Sequence, residues 1–294
     1  MNKRILVTGS RGFTGRYVCA ELTKRGYEVF GLTSDYSVMG KSIDLNAKDA
    51  LNSAISVLKP DSLIHLAAIA YVDHGCEEDF YKVNVDGTAN LLNTIKTNSP
   101  RLQNVIIASS ANVYGRVQST EVPIKETTKP NPMNAYAESK VKMEEMISSE
   151  FSDLQPTVVR PFNYTGVGQS VNFLVPKIVQ AYKNRSGNLK LGNLFVSRDF
   201  SDVRFIAWAY AELISRHIRG ETLNLCSGTT YSITEILKIC ETISRHSIMV
   251  ESESSYQRVN EIKLLCGDTG HMERLLGSKS KYNFSDTLKW MLSS

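Results

Sequence analysis

The sequence predicts an α/β protein: a doubly wound parallel sheet covered by helices, followed by a smaller C-terminal α/β lobe. Three observations predict it. Short apolar runs alternate with segments of helical period, a glycine-rich turn directly follows the first run, and the alternation gives way to irregular stretches after Pro161. Strands and helices that alternate in this way pack as a parallel sheet with helices on both faces. At 294 residues the chain is long enough for two lobes, each with its own core.

Arg4 to Thr8 reads as the first strand and Gly12 to Lys24 as the helix after it, with Phe13, Val18 and Leu22 among its apolar positions. Further strands are expected at Tyr27 to Leu32, Ser62 to Ala67 and Val105 to Ser109. Helical segments lie between them, near Ala47 to Leu58 and Phe80 to Lys96. A helix from about Ala135 to Phe151 and a strand at Thr157 to Arg160 complete the main sheet. The division expected is therefore 1–160 for the first lobe and 161–294 for the second, with a strand near Thr222 to Cys226 able to return to the first. The second lobe has shorter helices, at Phe173 to Lys183, Phe205 to His217 and Ile233 to Ser244.

Composition narrows the function classes. Hydrophobic content of 42% and charged content of 22% are ordinary for a globular chain. The longest apolar stretch, Leu63 to Val72, contains His65 and is far shorter than the roughly 20 residues a bilayer span needs. The first residues run straight into a strand with no signal-peptide pattern, so a cytoplasmic location is expected. Cys19, Cys76, Cys226, Cys240 and Cys266 form no CxxC pair and suit free thiols. No HExxH or HxH spacing announces a metal, and none is expected. A net charge of +4, dispersed along the chain, is no nucleic-acid footprint.

Thr8-Gly-Ser-Arg-Gly-Phe-Thr-Gly15 sets glycines at 9, 12 and 15 between a strand and a helix. Backbone without Cβ atoms there lets a pyrophosphate approach the helix N-terminus, which is the fingerprint of a Rossmann-type dinucleotide site. Versions of this fold that bind NAD usually end the second strand with an acid that holds the ribose hydroxyls and repels a 2′-phosphate. This strand ends in Thr33 and Ser34, and Arg11 adds a guanidinium able to pair with a phosphate. NADP(H) is thus favoured over NAD(H), although Asp35 lies nearby. Asp44, followed by Leu45, is placed to accept a bond from the adenine amino group.

Tyr136 and Lys140 stand four residues apart, on one face of the expected helix. The ammonium favours the phenolate, so the phenol can trade protons with a carbonyl or alcohol oxygen. Ser109 and Ser110, at the end of the preceding strand, supply a hydroxyl partner. Asn84 is a candidate for fixing the active-site helix and a water near Lys140, or alternatively a buried cap.

With these segments, and with HLAA at 65–68, VNVDGT at 83–88, SSANVYG at 109–115 and RPFN at 160–163, the chain resembles the extended short-chain dehydrogenases/reductases over essentially its whole length. The likeness is to their GDP-sugar branch, the GDP-mannose dehydratases and GDP-4-keto-6-deoxymannose reductases. The resemblance implies that Ser110, Tyr136 and Lys140 are catalytic. It sets Gly9, Arg11, Gly12, Phe13, Gly15, Thr33, Ser34, Asp44, Leu45, Leu66, Ala67, Ala68, Asn84 and Arg160 at the cofactor, with Tyr136 and Lys140. Asn163, Phe173, Arg198, Arg258 and Glu261 would hold a nucleotide-diphosphate sugar together with Ser110. A homodimer is likewise implied by the family, as is a place in surface polysaccharide or glycan synthesis.

One departure discriminates within the branch. Dehydratases resembling this chain carry a glutamate directly after the catalytic Ser/Thr, where this chain has Ala111 and Asn112. Neither serves as an acid or base at neutral pH. The expectation is therefore an NADPH-dependent 4-reductase of an NDP-4-keto-6-deoxy sugar, GDP-linked by preference. The alternatives are a nucleotide-sugar 4-epimerase with tightly bound NAD and, in another class, a non-catalytic NADP-binding redox sensor.

Overall fold

Apolar runs flanked on both faces by helices become near-continuous buried strands, because neither face of such a sheet meets water. The computed structural model of the chain describes residues 3–33, 43–70, 76–99, 101–253, 262–277 and 281–294. The first elements are β1 (Arg4–Thr8), α1 (Phe13–Lys24), β2 (Glu28–Leu32), α2 (Lys48–Leu58), β3 (Ser62–His65), α3 (Glu77–Tyr81), α4 (Gly87–Asn98), β4 (Asn104–Ala108), α5 (Ala135–Glu150) and β5 (Thr157–Pro161). The strands β2-β1-β3-β4-β5 lie side by side, and Thr222–Leu225 adds a sixth next to β5. Pairing from β2 through β5 is parallel throughout, with Leu6 opposite Phe30 on one side and Leu63 on the other. This is a Rossmann-type α/β fold. Leu6, Leu63, Val105 and Ile107 from the sheet meet Leu51 and Ile55 of α2, Leu91 and Ile95 of α4, and Met143 and Ile147 of α5.

The helix expected over Phe80 to Lys96 is interrupted. Between α3 and α4 the residues Lys82–Asp86 form a π-helical turn. The wider turn carries Asn84, which is fully buried, and short π segments of this kind often sit at functional positions.

The chain divides into two units that do not follow a single boundary. The first comprises residues 1–116, 129–161 and 207–223, and the second 117–128, 162–206 and 224–294. These units differ from a division at 160/161 in two segments. Residues 207–223 join the first unit, where Glu212 pairs with Arg25 at 2.8 Å and Ser215 meets the Tyr27 hydroxyl at 3.1 Å. Residues 117–128 join the second, where the buried Ile124 exchanges backbone bonds with Cys266 and Asp268, each 2.8 Å.

In the second unit the strand Ser197–Asp202 is central. It pairs in parallel with Asn163–Thr165 and Leu264–Leu265 and antiparallel with Thr230–Ser232. Helices Leu174–Lys183, Ile233–Ser244 and Phe284–Ser293 bury Ile178, Ile236 and Leu288 in a second core with Phe200. A capping box at Ser232 and Glu235 satisfies the first turn of the middle helix.

Candidate active site

At the end of β1 the chain turns so closely on itself that side chains are excluded. Gly9 has φ +67°, and a Cβ there would lie 2.9 Å from the Ala67 nitrogen. A Cβ on Gly15 would run into the Gly9 carbonyl and the Ser10 backbone. Gly12 caps α1 with no side-chain hydrogen bond, so no side chain of the cap stands over the N-terminus of the helix. A cradle of bare backbone at a helix N-terminus fits a dinucleotide pyrophosphate.

Arg11 is exposed on this turn, and Phe13, the first residue of α1, packs edge-on to Tyr17 at 5.8 Å. Thr33 is buried at the end of β2 and its carbonyl accepts the Ile43 N–H. Asp44 accepts from the Asn46 backbone at 2.9 Å, and the Leu45 side chain is buried against Gly87. Leu66, Ala67 and Ala68 follow β3, the first two donating their N–H groups to Thr8 Oγ1 at 3.2 Å. Ser34 lies outside the described residues.

The catalytic candidates assemble at the ends of β4 and α5. Ser110 caps the 3-10 turn Ala111–Tyr114, its Oγ accepting from the Asn112 N–H at 3.2 Å. That bond leaves the hydroxyl proton available for a substrate oxygen. Asn134 starts α5 by accepting the Ala137 N–H at 2.9 Å, which fixes the first turn where Tyr136 sits. Tyr136 and Lys140 are both buried, and the phenol ring packs on Phe80 with centroids 5.9 Å apart. Lys140 Nζ donates to the Ala108 carbonyl at 2.8 Å, tying α5 to the strand that ends two residues before Ser110. Burial pushes the Lys140 ammonium down to about 8, with Glu144 acting in the opposite sense.

Glu144 is held by another cation. Arg160 donates to it through Nε at 3.0 Å and to the Tyr114 hydroxyl at 3.0 Å through Nη1. Arg160, expected at the cofactor, thus has its guanidinium bonded to Glu144 of α5 and to Tyr114. Asn84, also assigned to the cofactor, is fully buried and turned inward. Its amide brackets Ile69, accepting at 3.1 Å and donating at 3.3 Å, and donates to Ser139 of α5 at 3.0 Å.

Of the substrate candidates that the structure describes, Ser110 belongs to the first unit and Asn163, Phe173 and Arg198 to the second. Asn163 opens its strand opposite Phe200, and its Nδ2 is buried without a partner among the described residues. Arg198 lies on the adjoining strand and donates to the Ser197 carbonyl at 3.0 Å. Next to it, Asp199 is buried and accepts from Ser227 N, Ser227 Oγ and Gly228 N at 2.7 to 2.9 Å, which anchors this strand. Phe173 precedes the helix Leu174–Lys183 and is 37% exposed. Arg258 and Glu261 lie outside the described residues. Among the described residues no cluster of His, Cys, Asp and Glu could hold a metal, and no helix is long and apolar enough to cross a membrane.

Sequence reasoning gave no role to the buried polar residues Thr8, His65, Thr88 and Ser139, which it met only inside motifs, nor to the partly buried Glu144. The signal was available. A histidine inside an apolar run must have partners, since a buried polar group without them is costly.

Fold and site together define an extended short-chain dehydrogenase/reductase architecture. The GDP-mannose 4,6-dehydratase family model matches residues 6–291, and the chain belongs to that family. It is 36% identical over 282 residues to GDP-6-deoxy-D-talose 4-dehydrogenase of Aggregatibacter actinomycetemcomitans, covering 95% of this chain and 93% of that one. It is 29% identical over 305 residues to GDP-6-deoxy-D-mannose reductase of Pseudomonas aeruginosa, covering 100% and 97%. A structure of RMD from Pseudomonas aeruginosa complexed with NADPH superposes with a TM-score of 0.87 at 28% identity, over 100% of this chain and 97% of that one.

Proposed function

We propose that this protein is an NADPH-dependent 4-reductase acting on an NDP-4-keto-6-deoxy sugar, GDP-linked by preference, in the synthesis of surface polysaccharide or glycan sugars. The observation that carries the reading is the pairing of an intact proton-transfer set, Ser110, Tyr136 and Lys140, with Ala111 and Asn112 where a dehydratase needs a carboxyl. A dehydrogenase and a reductase run hydride transfer in opposite directions, and the names of both relatives, one a 4-dehydrogenase, support carbonyl–alcohol chemistry on a GDP-6-deoxy sugar.

The glycine turn and α1 would hold the pyrophosphate of the cofactor, and Arg11 with Thr33 and Ser34 its adenosine 2′-phosphate. Bound NADPH supplies the hydride. Tyr136 gives its phenolic proton to the C4 oxygen as negative charge develops there, and Ser110 donates a hydrogen bond that orients the same oxygen. Lys140, a cation held in a dry site by the Ala108 carbonyl, favours the phenolate that remains. On the second unit, Asn163, Phe173 and Arg198, with Arg258 and Glu261, would take the nucleotide-sugar. In a homodimer each protomer would carry a complete catalytic set.

The test couples the purified protein to a separate GDP-mannose dehydratase and follows NADPH absorbance, with NMR of the product. Consumption of NADPH with a new C4 alcohol is expected. Absence of turnover, with NAD retained through purification and interconversion of C4 epimers, would replace the reductase by an epimerase. For the cofactor, Arg11→Ala should raise KM for NADPH far more than for NADH, and an equal rise would remove Arg11 from the 2′-phosphate.

A further inference from the structure

Five buried residues are joined in series by hydrogen bonds from the glycine turn to α5, the series passing at Asn84 from its main-chain carbonyl to its side-chain amide. Thr8, the residue before Gly9, meets His65 Nδ1 at 2.6 Å, and His65 Nε2 meets Thr88 Oγ1 at 2.9 Å. Thr88 Oγ1 donates to the Asn84 carbonyl at 2.7 Å. Asn84 Nδ2 donates to Ser139 Oγ at 3.0 Å, and Ser139 Oγ donates to the Tyr136 carbonyl at 2.7 Å. Thr8, Asn84, Thr88 and Ser139 are fully buried and His65 is 2% exposed.

The direction of every bond follows from the proton count. A threonine hydroxyl has one proton, and that of Thr88 is committed to the Asn84 carbonyl. Toward His65 it can only accept, so Nε2 carries the imidazole proton. Nδ1 is then a bare acceptor and takes the Thr8 proton, while the Thr8 oxygen receives the N–H groups of Leu66 and Ala67. Only a neutral imidazole fits. A second proton on Nδ1 would point at a donor and place a cation near Lys140; burial, reinforced by Lys140, holds the His65 pKa down to about 3.

His65 is thus no acid or base for the reaction. We propose that it is a positioning residue that locks the glycine turn to the first turn of α5, so that seating of the cofactor pyrophosphate fixes the orientation of Tyr136. The inference rests on the dinucleotide reading of the glycine turn. A ring is suited to the task because its acceptor and donor are two nitrogens held rigidly in one plane and pointing apart. Neighbouring elements meet at these contacts: β1 through Thr8, β3 through His65, α4 through Thr88, and α5 through Ser139.

The experiment is hydrogen–deuterium exchange with ADP as the probe, which carries the adenosine and pyrophosphate of the cofactor but not the nicotinamide half that would reach Tyr136 directly. In the native protein, saturating ADP should slow exchange both at residues 8–15 and at residues 135–141. Thr88→Val removes the link with little change of shape, and His65→Asn keeps an acceptor toward Thr8 but loses the donor toward Thr88. Both variants should keep the ADP effect at residues 8–15 and lose it at 135–141. A merely structural role would raise exchange with and without ADP alike and leave the ADP-dependent difference in place, which would overturn the proposal. Slowing confined to residues 8–15 in the native protein would overturn it too, while leaving the dinucleotide reading intact. No effect at residues 8–15 would overturn both.

Discussion

At Lys140 a single physical cause serves the chemistry and works against stability. The ammonium is buried and donates to the Ala108 carbonyl, so its charge acts strongly on neighbouring groups, and burial lowers its pKa from the ordinary lysine value near 10.5 to about 8. The unfolded chain therefore binds more protons than the folded one between those two values. Stability from this residue rises with pH across that window, the burial penalty being present in full below it. Unfolding followed at pH 7 and at pH 10 should show the native protein gaining on Lys140→Met by on the order of 2 kcal/mol as pH increases. A constant difference would mean that the lysine is solvated. Tyr136 answers to kinetics instead. Tyr136→Phe removes only the proton to be donated and keeps the ring against Phe80, so NADPH affinity should persist while turnover falls by about a hundredfold or more. Near-native turnover would take Tyr136 out of the mechanism.

The helix α5 carries both of these residues, and its placement depends on contacts beyond its own sequence. Its spacing of Tyr136 and Lys140 was legible, because residues four apart share a helical face. Its anchors were not: the Ala108 carbonyl, Ser139 on Asn84 and Glu144 on Arg160 join residues distant in sequence, and no local pattern announces them. The same applies to the π turn at Lys82–Asp86, where Phe80 to Lys96 reads as one helix because the buried positions Phe80, Asn84 and Thr88 keep the four-residue spacing that an α-helix also shows. Asn134 offers a test at this scale. It is the side-chain cap of α5, and Asn134→Ala should cost about 1 kcal/mol of stability by the usual weight of such caps. Because the freed N–H belongs to Ala137, in the turn that holds Tyr136, the variant should also lose turnover at temperatures where it remains folded. A fall in Tm with unchanged kcat would show that the first turn keeps its geometry without the cap.

Across the whole molecule, the order of strands and the parallel sheet were readable from the alternation of apolar runs, whereas the interleaved division of the chain was not. Residues 117–128 are tied to the second unit by backbone bonds from Ile124 to a segment some 140 positions later, a pairing that side-chain patterns do not encode. The family name, likewise, does not decide which reaction this member performs; the residues beside the Ser110 hydroxyl, proposed as catalytic, bear on that. Loss of water across C5 and C6 of a hexose needs a group that takes or delivers a proton at those carbons, whereas hydride return to C4 needs only the groups around one oxygen. After Ser110 the chain offers a methyl group and a neutral amide, and an amide cannot protonate a departing hydroxide. Incubated with NADP or NAD and GDP-mannose alone, the protein should therefore leave the sugar intact, with no species lighter by one water in the mass spectrum. Reduction should begin only when a separate dehydratase has made the ketone. Catalytic accumulation of the dehydrated sugar would overturn the reductase reading and point to another carboxyl, of which Glu138, two residues past Tyr136 and bonded to the Tyr81 hydroxyl at 3.0 Å, is the first to substitute. If Glu138→Gln then abolished dehydration while sparing reduction of the supplied ketone, the acid would be located on the catalytic helix rather than after the catalytic serine.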